Sequence, residues 1–404
     1  MKGGRPEIHP VYAAMETTVF EHVSGLAREL GAINLGQGFP DGAGPLELIE
    51  AAARALAEKS SQYPPGAGLP ELRDAICHHY RRRQGLELAR DQVIVTSGAT
   101  EAIAACVLAL VRPGDEVILF QPAYDAYAPT VRRAGGVPVS VALRPPAWSY
   151  DAESLEAAIS PRTRLLMLND PLNPAGTVAS ATELAMIADA CRRHDLFAIC
   201  DEVWEDVRFD GVQHRSLMSL PDMAKRVVKI GSAGKIFGLT GWKIGWMIAL
   251  PEVASALGRA HQFLTYASAP PLQWAVAEGL MLPGDWFASR NASWAASRQR
   301  LKTGLERAGF VVLPNAATWF LCLDLSASDI GLDDRTFSER LLREAGVASI
   351  PISALWEGAD APRHIVRLCF TKPDALLDEA VARIEDFRRG LDGTSRSGLE
   401  KRPL

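Results

Sequence analysis

Val227-Val-Lys-Ile-Gly-Ser-Ala-Gly-Lys-Ile-Phe-Gly-Leu-Thr-Gly-Trp-Lys-Ile-Gly-Trp246 sets Lys235 among small residues, just after an apolar run of strand length. An amine attacks a carbonyl only when part of it is deprotonated, and burial or a neighbouring cation lowers a lysine's pKa enough for that. Both influences are near in sequence. Gly231, Ser232, Ala233 and Gly234 let backbone approach a ligand closely, and Lys243 brings a second positive charge. Taken alone, such a segment reads more readily as a glycine-rich surface loop with two solvated lysines.

The surroundings reverse that reading. From about Gln92 onward, strand-length apolar runs alternate with helix-period segments, which predicts a mostly parallel sheet covered by helices. The strand candidates are Val93–Thr96, Glu116–Phe120, Val137–Val141, Leu165–Leu168, Leu196–Cys200, Val227–Ile230 and Gly245–Ala249. In open α/β sheets ligands bind beyond the carboxyl ends of the strands. Gly98, Asn173, Asp201 and Lys235 each follow one of these runs, so four placements agree.

Ser232-Ala-Gly-Lys235 followed by Gly241-Trp-Lys-Ile-Gly-Trp246 resembles the Schiff-base lysine signature of fold-type I aminotransferases, which use pyridoxal 5′-phosphate (PLP). Asn34-Leu-Gly-Gln-Gly-Phe-Pro-Asp41, Gln62-Tyr63, Asn169-Asp-Pro-Leu-Asn-Pro-Ala-Gly176, Asp201-Glu-Val203 and Ile365-Val-Arg-Leu-Cys-Phe370 follow in that family's order. Within it, the chain is most similar to the kynurenine aminotransferase, glutamine transaminase K and methionine aminotransferase branch. The implied α/β fold has a large domain with a seven-stranded, mostly parallel sheet and a smaller C-terminal α/β domain. The expected boundaries are an N-terminal arm with part of the small domain over 1–45, the large domain over 46–284, the small domain over 285–390 and a disordered tail over 391–404.

PLP needs an amine for its aldehyde, a cradle for its phosphate, a carboxylate to keep its pyridine nitrogen protonated and a surface for its ring. Lys235 is the candidate amine. Asp201, at the end of Leu-Phe-Ala-Ile-Cys, is a poorly solvated carboxylate in need of a cationic partner, which a pyridinium supplies. Gly98, Ala99 and Thr100 join a strand to a helix and offer N-terminal amides to an anion. The resemblance adds Ser232 and Lys243 to the phosphate cradle and brings Tyr63 to the phosphate of a neighbouring subunit, implying a homodimer with shared active sites. It also places Tyr124 against the cofactor ring, with Tyr127 the nearest rival, and Asn173 at the cofactor's 3′-oxygen.

Arginine's planar fork suits a carboxylate, and Arg367 in the alternating Ile-Val-Arg-Leu-Cys-Phe strand matches the family's substrate clamp, assisted by Asn173 and the backbone at Gly36. The resemblance further puts Phe20 and Tyr266 in the substrate pocket. One departure stands out: the family usually has tyrosine at the position of Trp204, whose indole can donate to the 3′-oxygen but cannot accept. No second arginine is assignable to a distal carboxylate, so the expected donors are methionine, aromatic amino acids or glutamine, with a 2-oxo acid as acceptor in a ping-pong reaction. A C–S β-lyase uses the same residues and is the first alternative. A non-catalytic PLP-binding regulator needs a fused DNA-binding domain, for which the segment before Asn34 is expected to be too short. A Rossmann dehydrogenase lacks its G-x-G-x-x-G here.

Composition agrees. The chain of 404 residues is 48% hydrophobic and 23% charged, with a net charge of −5, so it has apolar mass for a large core and no general attraction to nucleic acid. The arginine clusters at 81–83 and 192–193 read as solvated helix faces. The longest apolar stretch, near Ile103 to Val111, is too short for a bilayer, and no leader is evident, so the protein reads as cytoplasmic. Its six cysteines are scattered without metal-ligand spacing, and no metal is expected.

Overall fold

The structure, a computed structural model, describes residues 8–399. Seven strands form its central sheet: β1 Val93–Thr96, β2 Glu116–Gln121, β3 Val137–Ala142, β4 Thr163–Asn169, β5 Phe197–Asp201, β6 Val227–Ser232 and β7 Gly245–Ile248. Their order is β1-β7-β6-β5-β4-β2-β3. All run in one sense except β7, which is antiparallel to both β1 and β6. Alternate side chains feed opposite faces of the sheet. Val117 and Leu119 of β2 join one large core cluster, while Ile118 and Phe120 join the other. Every residue of β2 and β6 is buried, as helix-covered parallel strands require.

The seven expected strands and this topology agree. The consequence for function lies at one edge of the sheet. The parallel strands β2, β4, β5 and β6 end there, and reversed β7 begins there: Gly245 pairs with both Thr96 and Ser232. Helix α1, Ala99–Leu110, starts at the same edge after Gly98.

The second sheet has four antiparallel strands, β8 Val311–Val312, β9 Phe320–Asp324, β10 Ile350–Pro351 and β11 Ile365–Cys369, in the order β10-β11-β9-β8. Helices α2 Gly284–Arg307, α3 Asp334–Ala345 and α4 Asp374–Leu399 accompany it. Ile33–Asn34 pairs in parallel with Val347–Ala348, so the N-terminal segment is attached beside this sheet. Helix α4 carries on past Gly390 to Leu399. Residues 400–404 lie outside the described residues. Among the described residues no helix is long and apolar enough to cross a membrane.

Candidate active site

A cavity of about 720 Å³ opens at the shared sheet edge and collects residues from both sheets. On one side, Gly98 adopts φ +80° and caps α1. A Cβ at Gly98 would lie 3.2 Å from both Cε and Nζ of Lys243, so the lysine amine rests directly over the helix N-terminus. Lys243 itself is left-handed, φ +53°, at the end of a 3-10 turn. That turn brings the chain back into β7, where a Cβ on Gly245 would come within 2.8 Å of the Gly98 carbonyl carbon. Thr100, Ser232 and Gly234 line the same corner, which gathers amides, hydroxyls and one ammonium as an anion cradle does.

Lys235 sits in the short helix Ala233–Ile236 after β6. Its Nζ lies 4.9 Å from the Trp204 ring centroid and 5.4 Å from that of Trp319. Burial pulls its pKa down to about 8; Asp201 opposes the shift, and Arg367 and Lys243 add to it. An amine so placed has an appreciable neutral fraction near neutral pH. Asp201, 6% exposed, ends β5 and accepts a 2.5 Å hydrogen bond from the Tyr127 hydroxyl at Oδ2. Burial raises the Asp201 pKa, while Tyr127, the Val203 amide and Lys235 pull it back. Its Oδ1 has only the long 3.5 Å contact from the Val203 amide, so it can accept from a ligand.

Across the cavity Arg367, 2% exposed, projects from the middle of β11. It donates to the Gly36 carbonyl at 2.7 Å and to Asn173 Oδ1 at 3.1 Å. Asn34 Oδ1 holds the Gly36 turn by accepting from the amides of Gly36 and Gln37. The guanidinium stacks 3.9 Å from the Phe320 centroid and 5.1 Å from that of Phe20. A planar guanidinium held at two of its nitrogens and stacked on an aromatic ring can present its fork to a carboxylate.

Comparison with known proteins agrees with this geometry. Residues 31–384 match the family described as aminotransferase class I and II. The chain belongs to the class I and II aminotransferases. It is 45% identical over 380 residues to a probable N-succinyldiaminopimelate aminotransferase of Mycobacterium tuberculosis, covering 91% of this chain and 95% of that one. It is 39% identical over 373 residues to the methionine aminotransferase of Escherichia coli, covering 92% and 96%. The solved structure of an N-succinyldiaminopimelate aminotransferase from M. tuberculosis superposes with a TM-score of 0.90 at 44% identity, covering 94% of this chain and 99% of that one.

This aminotransferase therefore has the PLP fold type I and depends on PLP. Its residues fit that group. The Gly98 turn leaves room where a side chain would press on Lys243, Asp201 has a free oxygen at a strand end, and the Lys235 amine faces both. Of the residues expected from the sequence, Phe20, Gly98, Ala99, Thr100, Tyr124, Asn173, Asp201, Trp204, Ser232, Lys235, Lys243 and Arg367 all line the cavity. Gly36 meets the site through its carbonyl. Tyr63 and Tyr266 do not line it: they lie 86% and 41% exposed and pack edge to face on each other at 5.4 Å. The expected pocket of Phe20, Tyr124 and Tyr266 is formed in this chain by Phe20 and Tyr124 alone. Trp204 both lines the cavity and packs at right angles to Trp319, 4.9 Å away.

Two groups went unread in the sequence. Tyr127 is not a second stacking ring; it is the buried donor to Asp201. Lys229, in the middle of β6 and 0% exposed, hydrogen-bonds both Glu202 and Glu205 behind the site. Its signal was a lysine inside an apolar run together with two acids flanking Trp204. Glu202, Glu205 and His214 come close enough to hold a cation, and the Lys229 ammonium already lies against both carboxylates.

Proposed function

We propose that the enzyme moves the amino group of an L-amino acid with a neutral apolar, aromatic or sulfur-containing side chain to a 2-oxo acid. Bound in the cavity, PLP supplies the electron sink for the pair left at the substrate's Cα. Lys235 is the amine that would hold the cofactor, and its Nζ is the base that would carry the proton from Cα. Asp201 would keep the pyridine nitrogen protonated, with Tyr127 fixing its carboxylate. Gly98, Ala99, Thr100, Ser232 and Lys243 would take the phosphate, Tyr124 and Trp204 would bound the ring, and Asn173 and Arg367 would orient the substrate's α-carboxylate.

The observation that carries this reading is the cation inventory. Among the described residues Lys235, Lys243 and Arg367 are the three basic side chains lining the cavity, and the reading gives each a role, while Tyr12, Met15, Phe20 and Phe39 add largely apolar wall. Among the described residues of this chain no further base lines the cavity for a distal carboxylate. The 45% relative favours a second reading, in which an N-succinylated diamino acid is the donor. We also propose that the enzyme is a homodimer whose partner brings Tyr63 and Tyr266 to this cavity. The high exposure of Tyr63, Tyr266 and Phe263 supports it.

The test is a single-turnover spectrum of holoenzyme with methionine, phenylalanine, kynurenine, glutamine, aspartate, N-succinyl-diaminopimelate and a cysteine S-conjugate, without acceptor. One oxo acid released per site from the neutral donors supports the proposal. Release from the N-succinyl compound alone selects the second reading. Pyruvate and ammonia accumulating from the S-conjugate makes β-elimination the activity.

A further inference from the structure

We propose that Asp125 reads the far end of the substrate side chain, selecting amino acids that end in an N–H donor, an amide or aryl amine, and opposing those that end in a carboxylate. This deepens, and rests on, the reading that the cavity takes one neutral amino-acid side chain.

Two carboxylates line the cavity, Asp201 and Asp125. The first is engaged by Tyr127 and placed for the cofactor. Asp125 stands between Tyr124 and Tyr127 in the loop after β2, and among the described residues it makes no ion pair and no side-chain to side-chain hydrogen bond. Helix capping does not explain it. The following helix, Tyr127–Arg133, has Ala126 at its N-cap and no side-chain cap. The backbone amides of Asp125 and Ala126 do steady the carboxylate. Two carboxylate oxygens offer about four acceptor positions, so capacity remains for a ligand.

Its surroundings set the chemistry. Asp125 shares the cavity with the polar Thr18 and Gln37 and the largely apolar Tyr12, Met15, Phe20 and Phe39. Burial raises its pKa, and the charge of Arg367 opposes that rise, so the acid and the clamp feel each other's field. A substrate held by its α-carboxylate on Arg367 has its side chain in the same cavity as Asp125, whose carboxylate takes backbone amides and no side-chain donor among the described residues. An amide or aryl amine satisfies that acceptor, and a thioether or phenyl ring leaves it as it was. A distal carboxylate, including those of an N-succinyl substrate, meets like charge where no base compensates it.

The test compares wild type, Asp125→Ala and Asp125→Asn holoenzymes with glutamine, kynurenine, methionine and glutamate, using a small 2-oxo acid acceptor. In Asp125→Ala the ratio of kcat/KM for glutamine or kynurenine to that for methionine falls about tenfold or more, the size of a lost hydrogen bond to a charged group, with the loss in KM. The ratio for glutamate over methionine rises in both variants. Asp125→Asn, which keeps a carbonyl acceptor and changes no volume, loses less of the glutamine preference and guards against a folding defect in the alanine variant. An active wild type whose ratios stay fixed in both variants, or variants that lose every substrate in proportion, overturns the inference alone. A wild type that transaminates none of the four overturns the functional reading and this one with it.

Discussion

Lys229 and Lys235 stand on one strand and in the turn after it, yet burial has opposite outcomes for them. Burial pulls on both amines toward the neutral form. At Lys229, Glu202 and Glu205 more than offset it, and the pKa ends above the ordinary lysine value. At Lys235 the nearest groups are aromatic faces, Asp201 stabilises the charge only through space, and the pKa falls to about 8. A buried lysine is thus a structural ion or a reagent according to whether carboxylates touch it.

The largest effect should come from Lys235→Ala. Losing both the amine and the proton carrier lowers turnover by at least about a thousandfold and abolishes the bound cofactor's visible absorbance. Thermal melting of the cofactor-free protein changes little. In cofactor-free wild type, the rate of reaction with PLP should rise with pH through about 8, because only the neutral amine attacks. Stability carries the same sign. The unfolded chain binds more protons than the fold between about 8 and the ordinary lysine value, so cofactor-free protein gains stability as pH rises through that window. A reconstitution rate flat from neutrality to pH 9 would break the contrast between the two lysines.

Lys229→Met should leave the chemistry in place and strike the fold. Two buried carboxylates lose their common cation, and breaking such a pair costs about 3–5 kcal/mol. The midpoint of denaturant unfolding should fall sharply. Adding Glu202→Gln and Glu205→Gln should recover much of the loss, since the charges left stranded are then gone. A single variant with wild-type stability would show that the fold does not depend on the contact of Lys229 with Glu202 and Glu205.

Asp201 offers a finer version of the same contrast, a buried acid supported by one phenol. Tyr127→Phe removes the 2.5 Å bond and should reduce kcat about tenfold or more, with KM for methionine changing less. Because Tyr127 opposes the rise that burial gives Asp201, the acid limb of the kcat profile should move to higher pH. A uniform loss with an unmoved acid limb would make Tyr127 a packing residue.

The sheet was legible because each strand is an apolar run bounded by turn residues, and the site because four motif residues follow such runs. Tyr127 was hidden because the sequence shows it only as a rival to Tyr124 for one role, and only the folded backbone turns its hydroxyl toward Asp201. Lys229 was quoted and passed over, since its meaning depends on Glu202 and Glu205 arriving from the neighbouring strand's end. Tyr266 shows the converse: its position matched a pattern, while its place beside Tyr63 on this chain's exposed surface is set by tertiary structure. Asp125 carries no mark in the sequence, because nothing local distinguishes a cavity carboxylate from a turn aspartate.

The smallest effect sharpens the comparison at the ring that faces Lys235. Trp204 presents an indole face 4.9 Å from the amine where the related tyrosine would present a phenol. The larger quadrupole of tryptophan favours an ammonium more than tyrosine does, by about 0.5 kcal/mol at such a site. At 1.36 kcal/mol per pKa unit, Trp204→Tyr should lower the midpoint of the reconstitution profile by only a few tenths of a unit. A phenol also restores a group that can both donate and accept beside the cofactor, so the pH titration of the bound cofactor's absorbance should shift while kcat changes a few-fold at most. Two moved midpoints with intact folding would make Trp204 a tuner of the reactive lysine. If both stayed fixed and the kinetics did not change, its role would reduce to packing against Trp319 and Phe320, and the contrast between the lysines would rest on carboxylates alone.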